Sequence, residues 1–360
     1  MTTRRDFLGV SALGAVGLAL PDRPDARDMS GPVDVSAATA QPAGVLKPPR
    51  LKARQTVGLI NPAGATYNPI DLDIVRESLL AMGLNVKVGA HVLARHGYLA
   101  GRDHERAADV NAMFKDPGVH AVLCVRGGWG CARILPMIDY DAIRRQPKIL
   151  LGYSDITALH TAIHARTGLV TFHGPVGISR WNKFNVDWLK RVLFDAEAVT
   201  LQNERAFDPD DSLTQVENRI RTLTAGTARG RMIGGNLTVL TAILGSSYLP
   251  EWKGRILFLE DVQEAPYRID RMLTQLKLGG ILDQVSAVVF GTCDDCSPGQ
   301  GYGSLTLEDI LIDHLQPLGV PAWHGAMIGH IEKQFTVPIG IDAEVDATKG
   351  TIRLLEPAVR

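Results

Sequence analysis

Three polar side chains each end an apolar stretch of this 360-residue sequence: Ser154, Glu260 and His330. A serine hydroxyl can act as a nucleophile, an imidazole as a general base, and a carboxylate can hold that imidazole in the right tautomer. Open α/β sheets bind their ligands at the carboxyl ends of the strands. The sequence therefore predicts that these side chains supply nucleophile, base and orienting acid to one site at a sheet edge.

Each of the three residues also has a structural interpretation when it is taken alone. Ser154 would make a good helix N-cap, and its surroundings differ from the hydrolase G-x-S-x-G string because isoleucine stands at the last glycine position. Glu260 could be a solvated strand end, with Asp261 and Glu264 as rivals for its role. His330 is one of ten histidines. The prediction depends on the combination of the three.

A glycine-rich turn follows the third predicted strand, at Gly127, Gly128 and Gly130. Such glycines let a substrate approach bare backbone N–H donors. The turn is not G-x-G-x-x-G, and no G-x-x-x-x-G-K-[ST], H-E-x-x-H or EF-hand string occurs, which disfavours dinucleotide, kinase, zinc-peptidase and calcium-binding functions. The formal net charge is −1, from 38 basic and 39 acidic residues, so no nucleic-acid surface or polybasic membrane patch is expected.

Apolar strand-like runs alternate with amphipathic helical stretches after residue 52. Continuous apolar strands between helices predict an α/β fold, with an N-terminal doubly wound parallel sheet over residues 52–178. The periodicity weakens over 179–215, which we interpret as an interdomain connection carrying one helix. Residues 216–357 form the predicted C-terminal α/β domain, which contains Glu260 and His330.

The first 50 residues are predicted to be a targeting segment and a linker. Arg4 and Arg5 stand directly before the apolar run 7–20, which is too short to span a bilayer comfortably. A basic segment followed by a short apolar run is the layout of a secretory signal, and the paired arginines resemble the twin-arginine export motif. We therefore expect export, to the periplasm, and no stable membrane span after processing.

Four cysteines are present, and two of them, Cys293 and Cys296, have the C-x-x-C spacing. A zinc site would need a second such pair nearby, whereas Cys124 and Cys131 are spaced differently. Export would permit a Cys293–Cys296 disulfide, but spacing alone does not fix geometry, so two thiols stay open as the alternative.

Several motifs in the right order resemble the LD-carboxypeptidase family of serine peptidases, which includes muramoyltetrapeptide carboxypeptidases and microcin-immunity peptidases. The resemblance covers about residues 52–357. The segments that carry it are 125–130, 133–136 with Asp139, 152–157, 173–175, 234–237, 259–261 with 267–271, and 329–330 with Pro338 and Gly340. The family's fold is an N-terminal parallel α/β domain facing a smaller C-terminal domain, with the site between them.

The resemblance implies Ser154 as nucleophile, His330 as general base and Glu260 as the residue that orients the imidazole. It also implies an oxyanion hole of backbone N–H groups, which we place at Asp155 and at the glycine turn after Arg126. Neither a metal ion nor an organic cofactor is implied. The expected reaction releases the terminal D-Ala of peptidoglycan tetrapeptides by hydrolysing the bond between an L-centre and D-Ala.

A carboxypeptidase must also bind the free carboxylate of its substrate. Arg126 or Arg133 could supply the positive charge. Either arginine could equally be structural, since Arg133 could pair with Asp139.

Two other functions compete with this prediction. A microcin-type immunity peptidase would cleave a peptide–nucleotide conjugate with the same triad, and the export signal argues against it. A two-domain periplasmic binding protein would share the architecture without needing a reactive serine. The expected partner is a peptidoglycan-derived peptide and not a nucleic acid, and the resemblance leaves a homodimer open.

Overall fold

The computed structural model describes residues 45–204, 213–298 and 303–360. The predicted twin-arginine signal and most of the linker, residues 1–44, lie outside the described residues. Both sheets described below belong to one compact unit. Strands and helices alternate along the chain as the sequence predicts, with exceptions near His330 and Glu260.

The N-terminal sheet has six strands, five of them parallel, in the order β12-β5-β4-β3-β1-β2. Its strands are β1 (Thr56–Ile60), β2 (Asn85–Val88), β3 (Ala121–Cys124), β4 (Ile149–Gly152), β5 (Thr171–His173) and β12 (Val337–Ile339). Its helices are α1 (Pro69–Ala81), α2 (Asp103–Lys115), α3 (Cys131–Ile134), α4 (Tyr140–Arg145), α5 (Thr157–Thr167) and α6 (Lys183–Leu193). The late strand β12 pairs antiparallel with β5 at the sheet edge.

The side chains of successive strand residues point to opposite faces of this sheet, and helices cover both faces. Val57 and Leu59 of β1 pack with α1 and α6, whereas Val122 and Cys124 of β3 pack with α2 and α5. Because a strand has a two-residue period, a strand buried on both faces must be apolar throughout. The doubly wound α/β class predicted from the sequence is therefore confirmed.

The C-terminal sheet has eight strands in the order β6-β14-β13-β8-β9-β10-β11-β7, and so more strands than the first. Strands β8 to β11 run parallel to one another, and the remaining pairs are antiparallel. The strands are β6 (Thr200–Gln202), β7 (Arg221–Thr224), β8 (Thr227–Asn236), β9 (Ile256–Val262), β10 (Ala287–Asp294), β11 (Ala322–His324), β13 (Asp342–Asp346) and β14 (Thr351–Leu354). The helices are α7 (Leu237–Ala242), α8 (Pro266–Leu278) and α9 (Leu307–Leu315).

Two expectations about the elements are corrected. The apolar stretch before His330 is not a strand, because residues 325–330 form a loop after β11. Glu260 does not follow its strand but lies inside β9, where it pairs with Asn236 of β8. Apolar character marks burial here, and burial alone does not distinguish a strand from a packed loop.

The predicted connection 179–215 is also more structured than its weak periodicity indicates, since it holds both α6 and β6. No helix in the described parts of the chain is long and apolar enough to cross a membrane.

Candidate active site

Ser154 lies at a sharp turn between β4 and α5. It opens a short 3₁₀ turn over Ser154–Ile156, and its φ is +65° although it is not a glycine. A left-handed conformation at such a residue costs about 1–3 kcal/mol and is concentrated at functional sites. His160 of α5 anchors the turn, because its Nε2 donates to the Gly152 carbonyl at 2.8 Å. The turn therefore presents the serine side chain beyond the strand, as the sequence predicts.

Glu260 and His330 form a close pair although 70 positions separate them. His330 Nδ1 lies 2.8 Å from Glu260 Oε2, the carboxylate is fully buried, and 18% of the His330 side chain is exposed. The preceding Gly329 has a φ of +135°, and a Cβ there would overlap Thr292 and stand 3.3 Å from Glu260 Oε2. Glycine at this position therefore lets the imidazole approach the carboxylate.

The surroundings of His330 favour its protonated form. Burial lowers the pKa of the imidazole, but the hydrogen bond and charge of Glu260, with the charges of Asp261 and Asp294, outweigh burial and raise the pKa above its ordinary value. Since Nδ1 is bonded to Glu260, Nε2 is the nitrogen left to exchange a proton with a substrate or a nucleophile.

The structure brings His330 against the serine turn through Tyr153. The two rings pack edge to face with centroids 4.8 Å apart. Ser154 Oγ itself has no hydrogen-bond partner among the described residues. Catalytic hydrogen bonds are often long or poorly aligned in a free enzyme and tighten when the substrate binds.

The glycine turn after β3 stands directly beside the serine. A Cβ on Gly127 would lie 2.8 Å from Ser154 Cβ and 3.0 Å from Oγ. Gly128, with a φ of +119°, packs against Gly64, whose N–H donates to the Gly127 carbonyl at 3.2 Å. The backbone of this turn is therefore within reach of a group bound to Ser154.

Asp155 connects the serine turn with the glycine turn. Its buried carboxylate accepts a hydrogen bond from the backbone N–H of Cys131, the first residue of α3, at 2.7 Å. Burial raises the pKa of Asp155, and this hydrogen bond opposes the shift. The Asp155 side chain thus links the serine turn to the glycine turn. The predicted oxyanion contact involves a different group of the same residue, its backbone N–H.

The two candidate arginines have different surroundings. Arg126 donates from Nη1 to the Ala65 carbonyl at 2.9 Å, and its buried Nε has no partner in the described chain. Arg133 makes a forked contact with Asp103, with its nearest N–O distance 2.8 Å. The pairing of Arg133 with Asp139 was therefore wrong, because Asp139 pairs with Lys115 and caps α4.

Contacts between β8 and α5 join the two sheets at the site. Thr157 Oγ1 accepts a hydrogen bond from Asn236 N at 2.9 Å. Gly234 and Gly235 have φ values of +153° and +141°, and a Cβ on either would overlap Phe258 or Thr157. This close approach explains why the C-terminal end of β8 is glycine-rich.

A cavity of about 190 Å³ opens beside Ser154 at this junction. The N-terminal part of the chain lines it with Gly128, Trp129, Ala132, Ser154 and Asp155, and the C-terminal part with Asn236, Thr238, Val239, Ala242, Asp261, Val262 and Glu264. Burial and the neighbouring Glu260 raise the pKa of Asp261 to about 6. Within the described ranges no group of three or more His, Cys, Asp or Glu is placed to hold a metal ion.

Models of a protein family match both halves of the chain. The LD-carboxypeptidase N-terminal domain matches residues 57–174, and the LD-carboxypeptidase C-terminal domain matches residues 229–345. The chain belongs to the LD-carboxypeptidase family. The family resemblance inferred from the motifs is thereby confirmed.

Relatives within the LD-carboxypeptidase family cover most of the chain. A probable murein peptide carboxypeptidase of Bacillus subtilis is 42% identical over 307 residues, which is 85% of this chain and 93% of the relative. A murein tetrapeptide carboxypeptidase of Pseudomonas aeruginosa is 32% identical over 304 residues, 81% of this chain and 94% of the relative. The solved structure of MccF in complex with glutamyl sulfamoyl guanosine has a TM-score of 0.77 and 26% identity, covering 88% of this chain and all of that one.

Sequence reasoning missed two asparagines that hold the His330 loop of this LD-carboxypeptidase family member. Asn185 of α6 is fully buried, and it accepts from Gln334 N at 2.9 Å and donates to the Glu332 carbonyl at 2.8 Å. Asn203 accepts from Met327 N at 3.0 Å. No local pattern marks them, because their partners in the His330 loop lie more than 120 positions away.

The cysteine alternatives are also resolved. Cys293 and Cys296 form a disulfide at the end of β10, with Cα atoms 5.5 Å apart. Cys124 and Cys131 are buried free thiols.

Proposed function

We propose that this chain is a serine carboxypeptidase that releases the terminal D-Ala of peptidoglycan tetrapeptides by hydrolysing the bond between an L-centre and D-Ala. The observation that carries the proposal is the hydrogen bond between His330 and the buried Glu260 carboxylate, with the imidazole packed on the turn that presents Ser154. The murein carboxypeptidases similar to this chain support the choice of substrate.

The proposed reaction begins when His330 Nε2 takes the proton of Ser154 Oγ and the oxygen attacks the scissile carbonyl. Backbone N–H groups of Asp155 and of the glycine turn at Gly127 and Gly128 would stabilise the oxyanion. The C–N bond then breaks, and the proton on His330 passes to the departing D-Ala amine. A water molecule then gives a proton to His330 Nε2 and attacks the acyl carbonyl. The ester bond to Ser154 breaks, and His330 passes the proton to Ser154 Oγ.

The test is to replace Ser154 by alanine and to measure D-Ala released from a purified muropeptide tetrapeptide by mass spectrometry. We expect Ser154→Ala to lower the rate by at least about 10⁴-fold, since loss of a triad nucleophile removes the covalent pathway. Ser78→Ala, at a half-buried serine of α1 whose hydroxyl donates to the Ile74 carbonyl of the same helix, is the matched control and should keep full activity. Full activity of Ser154→Ala would refute the serine mechanism.

A second candidate is peptidase action on an aminoacyl nucleotide conjugate, because MccF, bound to glutamyl sulfamoyl guanosine, shares this fold. An acidic aminoacyl group would meet Asp261 and Glu264 in the cavity of this chain. Like charges without a screening partner oppose binding. Incubating the enzyme with both substrates side by side separates the two functions, and we expect release from the tetrapeptide only.

We further propose that the protein is exported through the twin-arginine segment at its N-terminus, which carries Arg4 and Arg5. The Cys293–Cys296 disulfide supports this, because such bonds persist in oxidising compartments and are rare in the cytosol. Residues 1–50 fused to a reporter should direct it to the periplasm, and the double variant Arg4→Lys, Arg5→Lys should leave it in the cytoplasm. Equal periplasmic amounts of both fusions would contradict the proposal.

A further inference from the structure

The loop that carries His330 lies against the end of strand β10. The Ile328 carbonyl, two residues before His330, accepts hydrogen bonds from the backbone N–H of Thr292 at 2.9 Å and from Thr292 Oγ1 at 3.1 Å. The residue before Thr292 is Gly291, and a Cβ there would overlap the same carbonyl oxygen. The position of the candidate base therefore depends on the position of these last residues of β10.

The residues that hold the loop lie at an irregular point of the C-terminal sheet. Strand β10 pairs with β9 in one register over residues 287–290, and the register shifts between Phe290 and Cys293. Gly291 and Thr292 fall within this shift, and pairing resumes at Cys293, opposite Asp261. A shift of this kind interrupts the ladder of backbone hydrogen bonds. The placement of Thr292 therefore depends on what fixes the strand beyond the shift.

The Cys293–Cys296 disulfide closes a short ring directly beyond the shift. The two cysteines are three positions apart, and β10 ends inside the ring at Asp294, whose carbonyl accepts from Gln263 N at 2.8 Å. Asp295, also in the ring, has a φ of +54°. The constraint that a disulfide places on the unfolded chain grows with the length of the loop it closes. A ring this short therefore acts mainly on local geometry and little on global stability.

The disulfide can be reached from solvent, unlike the other two cysteines. Cys293 is partly exposed, and the aspartates between it and Cys296 are exposed. Cys124 and Cys131 are fully buried, and burial raises the pKa of both thiols, which disfavours the reactive thiolate. Exposed disulfides are the ones that exchange readily with thiols. A thiol reagent should therefore act on this one bond of the folded protein.

We propose that the Cys293–Cys296 disulfide is a thiol–disulfide exchange site that controls activity by fixing Thr292, a positioning residue for His330. The enzyme is fast with the bond closed and slow with the bond open. The inference rests on the proposed carboxypeptidase function and adds regulation to the same site. Because thiols stay reduced in the cytosol and disulfides persist in oxidising compartments, the chain would be slow in the first and fast in the second.

The exchange requires a dithiol as the reductant. A thiolate of the dithiol attacks Cys293 Sγ, the bond between the two sulfurs breaks, and Cys296 leaves as a thiolate that takes up the proton lost by the attacking thiol. The second thiol of the reductant then attacks the mixed disulfide and releases Cys293 as a thiol in the same way. Two electrons pass to the protein, which ends with two thiols, and the dithiol ends as its own disulfide.

The experiment measures D-Ala release from a muropeptide tetrapeptide by the enzyme before treatment with dithiothreitol, after treatment, and after reoxidation. Alkylation of the native protein followed by mass spectrometry gives the redox state, and reduction should expose Cys293 and Cys296 only, because the other cysteines are buried. We expect kcat to fall roughly 10-fold on reduction with KM little changed, and to recover on reoxidation. A displacement of about 1 Å costs about 10²-fold, and a smaller displacement of the base costs part of that.

Variants test whether the effect passes through Thr292. The double variant Cys293→Ser, Cys296→Ser should have the kcat of the reduced enzyme and should not respond to dithiothreitol. Thr292→Val removes the hydroxyl bond to the His330 loop, so reduction should cost less in this variant than in the wild type, as for groups that act together. Thr222→Val is the matched control: it removes a threonine bond to a distant carbonyl on strand β7 and should leave the dithiothreitol effect unchanged.

Unchanged kcat after verified reduction of the wild type would overturn the inference while the carboxypeptidase function stands. The same holds if reduction costs as much in Thr292→Val as in the wild type, or if the loss of activity follows a loss of folded protein in circular dichroism. Should the double cysteine variant not fold, the reduced wild type decides. If the oxidised wild type releases no D-Ala, the proposed function fails, and this inference fails with it.

Discussion

The nucleophile and the base of the candidate site are positioned in opposite ways. Ser154 is held by its own neighbours in sequence, since β4, the 3₁₀ turn and α5 follow one another directly. His330 lies on a loop without regular structure, and its position depends on Glu260, Asn185 and Asn203, all more than 65 residues away. Local backbone geometry thus positions Ser154, and long-range side-chain contacts position His330. We expect substitutions around the base to disturb activity more readily than stability.

The largest effect is expected from Glu260→Gln, which removes the charge and the tautomer control that act on His330. In a triad such a change lowers kcat by about 10⁴-fold. Steady-state kinetics on the tetrapeptide would measure it. Asp294→Asn is the matched control, because Asp294 acts on His330 by its charge without bonding to it, and it should cost far less. Equal losses in both variants would show that charge alone, and not orientation, matters at the base.

A smaller effect is expected from Gly329→Ala. The new Cβ would overlap Thr292 and crowd Glu260, so the loop must shift, and a displacement of about 1 Å can cost about 10²-fold in rate. Gly319→Ala also falls on a positive φ, +66°, but its Cβ would meet no atom within 4 Å. Kinetics and thermal unfolding of both variants separate the steric overlap of the new Cβ from the strain of a side chain at positive φ. Loss of activity in Gly319→Ala as well would point to general backbone strain.

The most modest effect concerns pH. Because the base must be neutral, kcat/KM should rise with pH through the pKa of His330, and the raised pKa places that rise above the ordinary range of histidine, near 6.5. Asp294→Asn removes one of the charges that raise this pKa, so the rise should move to lower pH. If Asp294→Asn left the pH profile unchanged, the rise in kcat/KM would have to come from the titration of another group.

The same contrast explains what the sequence could predict. The strand-turn-helix around Ser154 follows from an apolar run, a small polar residue and a helical period, and each is a local signal. The sequence predicts the pairing of Glu260 with His330 only when three weak signals are combined with a family resemblance. The apolar residues before His330 predict a strand, whereas they form a loop and are apolar because they are buried. Asn185 and Asn203 could not be found, since nothing near them in sequence indicates their partners.

Strand β12 has a consequence for how the molecule works as a whole. The chain leaves the C-terminal sheet at β11, passes through His330, and enters the N-terminal sheet at β12, which pairs with β5. The imidazole therefore lies on a connecting segment whose first end belongs to the C-terminal sheet and whose second end belongs to the N-terminal sheet. A shift of one sheet against the other would move His330, so the proposed proton transfer requires the two sheets to keep their relative positions.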